Sequence, residues 1–200
     1  MGVSYPAGRI PAVDISTFWD IIETARAQSR PGKPIDHALA DHLASRTRHD
    51  ILGYQERFDQ MHAALYRRDI WAAAYLVGGG CSDDAFIDFR AGLIAQGRDW
   101  YQKVAASPDS LAGHPAVADA PGCSQGEPLF YEAVSYAAPR AFERLTGGQE
   151  NFYETLDRYQ ASREHSGQDP AGEDFDFDDD QQMRRRLPRL SALYLPNRSA

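Results

Sequence analysis

Cysteine is scarce in this chain: Cys81 and Cys123 are the only two in 200 residues. So few exclude a disulfide framework, and a cytoplasmic setting favours two thiols over one bridge. An excess of basic residues is also missing. Lys and Arg number 21 against 29 Asp and Glu, for a net charge of −8. That balance disfavours nucleic acid and anionic membrane as partners, because both demand a basic face. Long apolar runs are absent too. The longest, Ile70 to Val77, falls far short of the roughly 20 residues that cross a bilayer. The opening stretch MGVSYPAGRIPAVD has no apolar signal-peptide core, and Met1-Gly2 with Pro6 makes a poor myristoylation pattern. A soluble cytoplasmic protein with no membrane partner is the expectation.

Signatures of chemistry are equally thin. The histidines His37, His42, His49, His62, His114 and His165 form no His-x-x-x-His pair, so no dedicated zinc site is expected. Asp59 and His62 share a helix face, which a surface ion pair explains as well as a metal does. Ser4, Ser82, Ser124 and Ser135 lack a nucleophile-elbow motif around them. No cofactor and no metal are expected.

What is present is a core. Hydrophobic residues make up 42% of the chain and aromatics 11%, enough for one compact domain. Their spacing is helical nearly throughout. Ser16 is placed to cap a helix with the stripe Phe18, Ile21, Ile22 and Ala25. Asp36 is placed to cap a second, through about Ala44, burying Leu39 and Leu43. A third runs from about Arg48 to Arg67 with Ile51, Tyr54, Phe58, Met61 and Leu65 inside. Its wet face is Glu56, Arg57, Gln60 and Arg67. Asp69 is placed to cap a fourth, and Arg98 to Ala106 makes a short one. Residues 107–126 read as a loop, ended by a capping box at Ser124 and Glu127. An aromatic helix follows with Phe130, Tyr131, Val134, Phe142 and Leu145, which Pro139 should kink or split. Phe152 to Arg163 adds a turn or two.

The centre of the sequence is the stretch from Asp69 to Gly97, two apolar helices joined by Gly78-Gly79-Gly80. The second opens with Cys81-Ser82-Asp83-Asp84 and presents Phe86, Phe89, Leu93 and Ile94 to the core. Three glycines before a helix suggest a phosphate cradle. The spacing matches neither the P-loop nor the dinucleotide fingerprint, no lysine follows, and the two aspartates already occupy the positive end of the helix dipole. Capping by Ser82, with Asp83 and Asp84 complementing the dipole, is the simpler role. Cys81 precedes a helix N-terminus, which lowers a thiol pKa, but the adjacent aspartates oppose the shift. Arg90 lies within reach of Asp83, Asp84, Asp88 or Glu132 as structural glue or as an anion-recognition device. The candidate functional cluster is therefore Asp83, Asp84, Arg90, Glu132, Trp71 and Cys81.

Beyond residue 148 the pattern changes. Glu173 to Asp180 holds six carboxylates in eight positions, followed by Arg184, Arg185, Arg186 and Arg189. The acids resemble the start of a calcium loop but lack its glycine at position six and glutamate at twelve, so an EF-hand is rejected. Phe175 and Phe177 between the acids suggest an extended peptide docking two rings on one surface. Leu187 to Leu195 is apolar and suited to dock back.

Trp71-Ala72-Ala73-Ala74-Tyr75, Gly79-Gly80-Cys81-Ser82-Asp83-Asp84, Phe86 with Phe89-Arg90, and Leu93-Ile94-Ala95-Gln96-Gly97 resemble the central motif of a bacterial family, domain of unknown function 4240. The likeness covers roughly residues 14 to 148. It implies a bacterial cytosolic protein and supplies no reaction. The expectation is all-α: one helical domain over 14–148, of about six to eight helices, with a partly irregular arm over 149–200. A non-catalytic module binding another protein through an acidic face is the leading expectation. The alternative is an enzyme or small-ligand binder with its site at the Gly78–Asp84 hinge, using carboxylates and Arg90.

Overall fold

Apolar side chains at three- and four-residue spacing wind the chain into helices, and their inward faces meet in one core. The computed structural model describes residues 13–120, 128–160 and 170–195. The helices are α1 (Ile15–Gln28), α2 (Ile35–Ala44), α3 (Arg48–Ala64), α4 (Arg68–Gly78), α5 (Asp83–Ala95), α6 (Arg98–Ala106), α7 (Pro115–Ala118), α8 (Ala137–Thr146), α9 (Phe152–Gln160), α10 (Asp180–Arg186) and α11 (Pro188–Tyr194). Tighter 3₁₀ turns occupy Pro108–Gly113 and Glu132–Tyr136. No β-strand occurs among the described residues, and no described helix is long and apolar enough to cross a membrane. The all-α class holds. Among the described residues eight α-helices, α1 to α8, fall within 14–148, in line with the expected six to eight, and α9 to α11 belong to the arm; the short ones started by Pro115 and Pro188 leave little periodicity to read.

The core draws on every long helix. Phe18, Ile21, Ile22, Leu39, Ile51, Tyr54, Ile70, Phe86, Phe89, Leu93 and Phe142 are all buried. The residues after 148 contribute as well. Phe152 and Leu156 of α9, Met183 of α10 and Leu190 of α11 join the same cluster. The N–H groups of Arg189 and Leu190, at the start of α11, donate to the Asp109 carboxylate at 2.9–3.1 Å. The apolar ending thus docks back through burial and a capping carboxylate supplied from eighty residues upstream.

Several helix starts differ from expectation. Asp14 and not Ser16 caps α1, accepting from the Thr17 N–H at 2.7 Å. Pro34 begins α2, which leaves Asp36 in the first turn, buried. Asp69 lies inside α4 and pairs with Arg67 at its start. Glu56, expected on the wet face of α3, is only 3% exposed. The stretch read as a loop at 107–126 holds a 3₁₀ turn and α7 as far as it is described; its capping box and Cys123 lie outside the described residues. The aromatic helix is indeed divided, though not at Pro139. It breaks at Tyr136, where the 3₁₀ turn gives way to α8, and Pro139 falls in the first turn of α8, where a missing N–H costs little.

One close approach sets the position of that divided segment. Leu129 adopts φ +73°, and its carbonyl oxygen lies 1.7 Å from where a Cβ would stand on Gly92 of α5. Only glycine lets backbone pass so near a helix. The Tyr131 N–H then donates to the Asp88 carbonyl at 3.1 Å, pinning this turn along α5. Gly92→Ala should destabilise the protein by about 3 kcal/mol, because backbone and not a flexible side chain must yield. Urea unfolding of the variant checks this; an unchanged midpoint would count against the contact.

Candidate functional site

The hinge is built as its residues suggest. Gly79 takes φ +66°, the left-handed conformation that ends α4, and Gly80 takes φ +132°. Ser82 caps α5 by accepting from the Ala85 N–H at 3.2 Å. Asp83 and Asp84 sit in the first turn, exposed. Trp71 closes the turn in a way the sequence did not reveal. Its indole N–H donates to the Cys81 carbonyl at 3.0 Å, and its ring stacks on Phe86 at 4.7 Å and 15°. The Cys81 thiol is half-buried beside it and donates to the Ser82 carbonyl at 3.6 Å.

The proposed partners of Arg90 are elsewhere. Its side chain is 7% exposed. Nε donates to the Phe86 carbonyl at 3.3 Å and Nη1 to the His62 carbonyl at 3.1 Å. The guanidinium lies 4.8 Å from the ring centroids of both Tyr66 and Phe86. Carbonyl dipoles and two π faces, not a carboxylate, compensate this cation among the described residues. Burial brings its pKa down to about 10, which still leaves it charged at neutral pH. Glu132 is exposed at the start of the 3₁₀ turn and accepts from the Tyr136 hydroxyl at 3.1 Å. The structure therefore joins Trp71, Cys81 and Arg90 around Phe86, and leaves Asp83, Asp84 and Glu132 on the surface. Among the described residues, no three His, Cys, Asp or Glu side chains converge as a metal would need.

His62 of α3 completes the Arg90 surroundings. Its Nε2 donates to the Ile87 carbonyl at 3.0 Å, which places the imidazole proton on that nitrogen. Burial, then the neighbouring Arg90 charge, lower its pKa to about 4.

A second polar centre escaped the sequence reading entirely. Asp36 is 3% exposed. One of its oxygens accepts from the Tyr131 hydroxyl at 2.6 Å and the other from Arg140 at 2.8 Å. Burial acts to raise the Asp36 pKa, but these two donors prevail and hold it below the ordinary carboxylate value. Burial and the same carboxylate push Tyr131 up to about 12. No local pattern announces such a residue, since its partners lie about a hundred positions downstream.

Arg140 also borders a cleft of about 520 Å³ between α8 and α9. Tyr136, Glu143, Glu150, Phe152 and Tyr153 line it further. The cleft is wide open. Tyr136 and Tyr153 are 42% and 58% exposed, and only three other large hydrophobic side chains among the described residues are so accessible. The Glu132 carboxylate holds the Tyr136 hydroxyl above its ordinary pKa. Positive charge at this place is already engaged: Arg140 by Asp36 and Arg48 by Glu150 at 2.6 Å. The rim is thus aromatic and acidic.

Neutral, half-buried His62 makes stability depend on pH. Its folded pKa lies below the unfolded 6.5, so the unfolded chain binds more protons between those values. The contribution is present in full above about pH 6.5 and is lost as the pH falls through about 4. It amounts to roughly 2 kcal/mol. Urea stability measured from pH 7 to pH 4 should fall less in His62→Gln than in wild type. Parallel curves would sink the assignment.

The family model described as Protein of unknown function (DUF4240) matches residues 14–144. No curated protein and no solved structure matches the chain.

Proposed function

The chain belongs to the DUF4240 family, and from that premise and its own geometry we propose a non-catalytic module that binds another protein through an acidic, aromatic face. The α8–α9 cleft is that face. The observation that carries the reading is the pair Tyr136 and Tyr153, two large rings left accessible on the walls of one cleft. Exposed aromatics grouped beside a cleft are what interfaces use, because a tyrosine brings much contact area with few rotamers to fix.

Charge selects the partner. Glu143 lines the cleft and Glu132 holds the Tyr136 hydroxyl, while the two arginines there are already paired, Arg140 with Asp36 and Arg48 with Glu150. A segment carrying Lys or Arg gains both carboxylates and π faces there. The net charge of −8 favours the same encounter. A bacterial cytoplasmic setting is part of the proposal and rests on the family resemblance together with the scarcity of cysteine.

The alternative, an enzyme or small-ligand site at the hinge, has less support. Its carboxylates and its buried cation do not face one space. Ser82 and the first-turn aspartates already serve the helix end, and Arg90 is enclosed by carbonyls and rings.

A fluorescent Arg-rich decapeptide at low ionic strength tests the cleft. Tyr153→Ala and Glu143→Lys should each weaken binding about tenfold, while the remote arm variant Asp176→Asn should not. Equal losses in all three would mean that the peptide reads overall charge only, and the cleft would lose its role. Metal titration followed by melting temperature tests the alternative: a large shift abolished by Asp83→Ala would favour the hinge instead.

A further inference from the structure

The segment Glu173–Asp178 lies against α4, irregular over 173–176 and then closed by a turn in which the Asp179 N–H donates to the Asp176 carbonyl at 3.4 Å. Its two rings are half-buried, whereas Glu173, Asp174, Asp176 and Asp178 are exposed. That alternation docks one face of the segment, both rings inward and the acids in water. The entry is held by backbone. The Ala171 N–H donates to the Tyr66 carbonyl at 3.0 Å, and the Ala171 carbonyl accepts from the Arg68 N–H at 2.9 Å. Phe177 then sits 5.6 Å from Tyr75 and 6.4 Å from Trp71, and Phe175 packs on Phe177 at 5.1 Å. Arg186 covers Phe175 at 4.2 Å and pairs with Glu173 at 3.0 Å. Arg68 pairs with Asp174 at 3.3 Å, and the Tyr75 hydroxyl donates to Asp178.

This stretch is held differently from the helices after it. Met183, Leu187 and Leu190 are in the core, so α10 and α11 stay when the segment moves. Glu173 and Asp174, by contrast, are 74% and 75% exposed in their ion pairs. Such pairs are weak and screened by salt. The remaining acids repel one another, and a half-open cavity of about 220 Å³ lined by Arg67, Asp69, Glu173, Phe175 and Arg186 lies beside the start of the segment. Lifting it exposes a ready platform of Trp71 and Tyr75 flanked by Arg68 and Arg186.

We infer that Glu173–Asp178 is a built-in ligand in a peptide groove, and that the groove receives an acidic partner segment with aromatic residues two positions apart once the segment lifts. The chemistry of the guest is read from the occupant now seated there: rings inward at alternate positions, carboxylates toward the two arginines. Tethering gives the occupant a high effective concentration, so it acts as a competitor that a partner must displace. This surface is separate from the α8–α9 cleft, and the inference stands or falls without it.

The test uses the full chain and a labelled peptide of the protein's own residues 172–180. Phe175→Ala/Phe177→Ala empties the groove. By fluorescence anisotropy the emptied variant should bind the peptide about tenfold or more tightly than wild type. High salt and an added Arg68→Glu should each abolish the gain. Circular dichroism and melting establish that the variant is folded. If it does not fold, Glu173→Lys/Asp174→Lys loosens the segment from its exposed side and takes its place with the same expected gain. A folded, emptied variant that fails to bind overturns the inference, as does binding equal to wild type or indifferent to Arg68→Glu. A wild-type dimer that the Phe175→Ala/Phe177→Ala change dissolves would also overturn it, because the segment would then serve a second copy's groove.

Discussion

The buried carboxylate of Asp36 is the constraint on which the arrangement of the second half depends. A carboxylate shut away from water is tolerable only when charged or hydroxyl donors replace the lost hydration. Here each oxygen has one such donor, Tyr131 and Arg140. Both come from the divided aromatic segment, so its two parts are placed against α2 by one charge-assisted bond each, Tyr131 ahead of the 3₁₀ turn and Arg140 in α8, in addition to the apolar face of α8. Phe142 of α8 then packs edge-on against Phe152 of α9 at 5.4 Å. The accessible tyrosines on either side of the cleft inherit their positions from this chain of contacts.

Arg90 is the opposite case. Its charge is buried without a carboxylate among the described residues, and carbonyl oxygens with ring faces do the compensating. The effect is to tie α3 to α5, since the His62 carbonyl receives Arg90 while the His62 ring donates to Ile87. The internal charges of this protein thus serve as joints between helices. Recognition is left to the surface, where the acids outnumber the bases and where two sets of aromatic rings lie within reach of solvent. One set is open, at α8–α9. The other, on α4, is covered by the protein's own acidic segment.

The parts of the fold that were legible in advance are those governed by neighbours in sequence. The stripes of α1, α3 and α5 emerged from spacing alone, because a helix presents residues three and four apart on one face. The α6 boundaries and the Ser82 cap were also readable, since a cap needs only the next three residues. Helix starts were less so: Asp14 and Ser16 are both good caps, and which one is used depends on where the burial of Phe18 and Trp19 sets the helix. The candidate cluster was legible in part. Trp71, Cys81 and Arg90 do come together, but Glu132 had no local reason to be turned outward, and its partner is Tyr136 on the next turn.

By itself the sequence determined an all-α chain, its main apolar faces, the glycine hinge with its capped helix, and an arm whose rings dock while its acids remain wet. Periodicity, capping and turn chemistry are short-range, so a linear string carries them. Tertiary structure alone decided that Asp36 and Glu56 are interior, that Arg90 is held by carbonyls and rings, and that an open aromatic cleft forms at α8–α9. Those outcomes depend on groups up to a hundred positions apart meeting in space, and the desolvation that makes a charge costly exists only once the helices have packed around it.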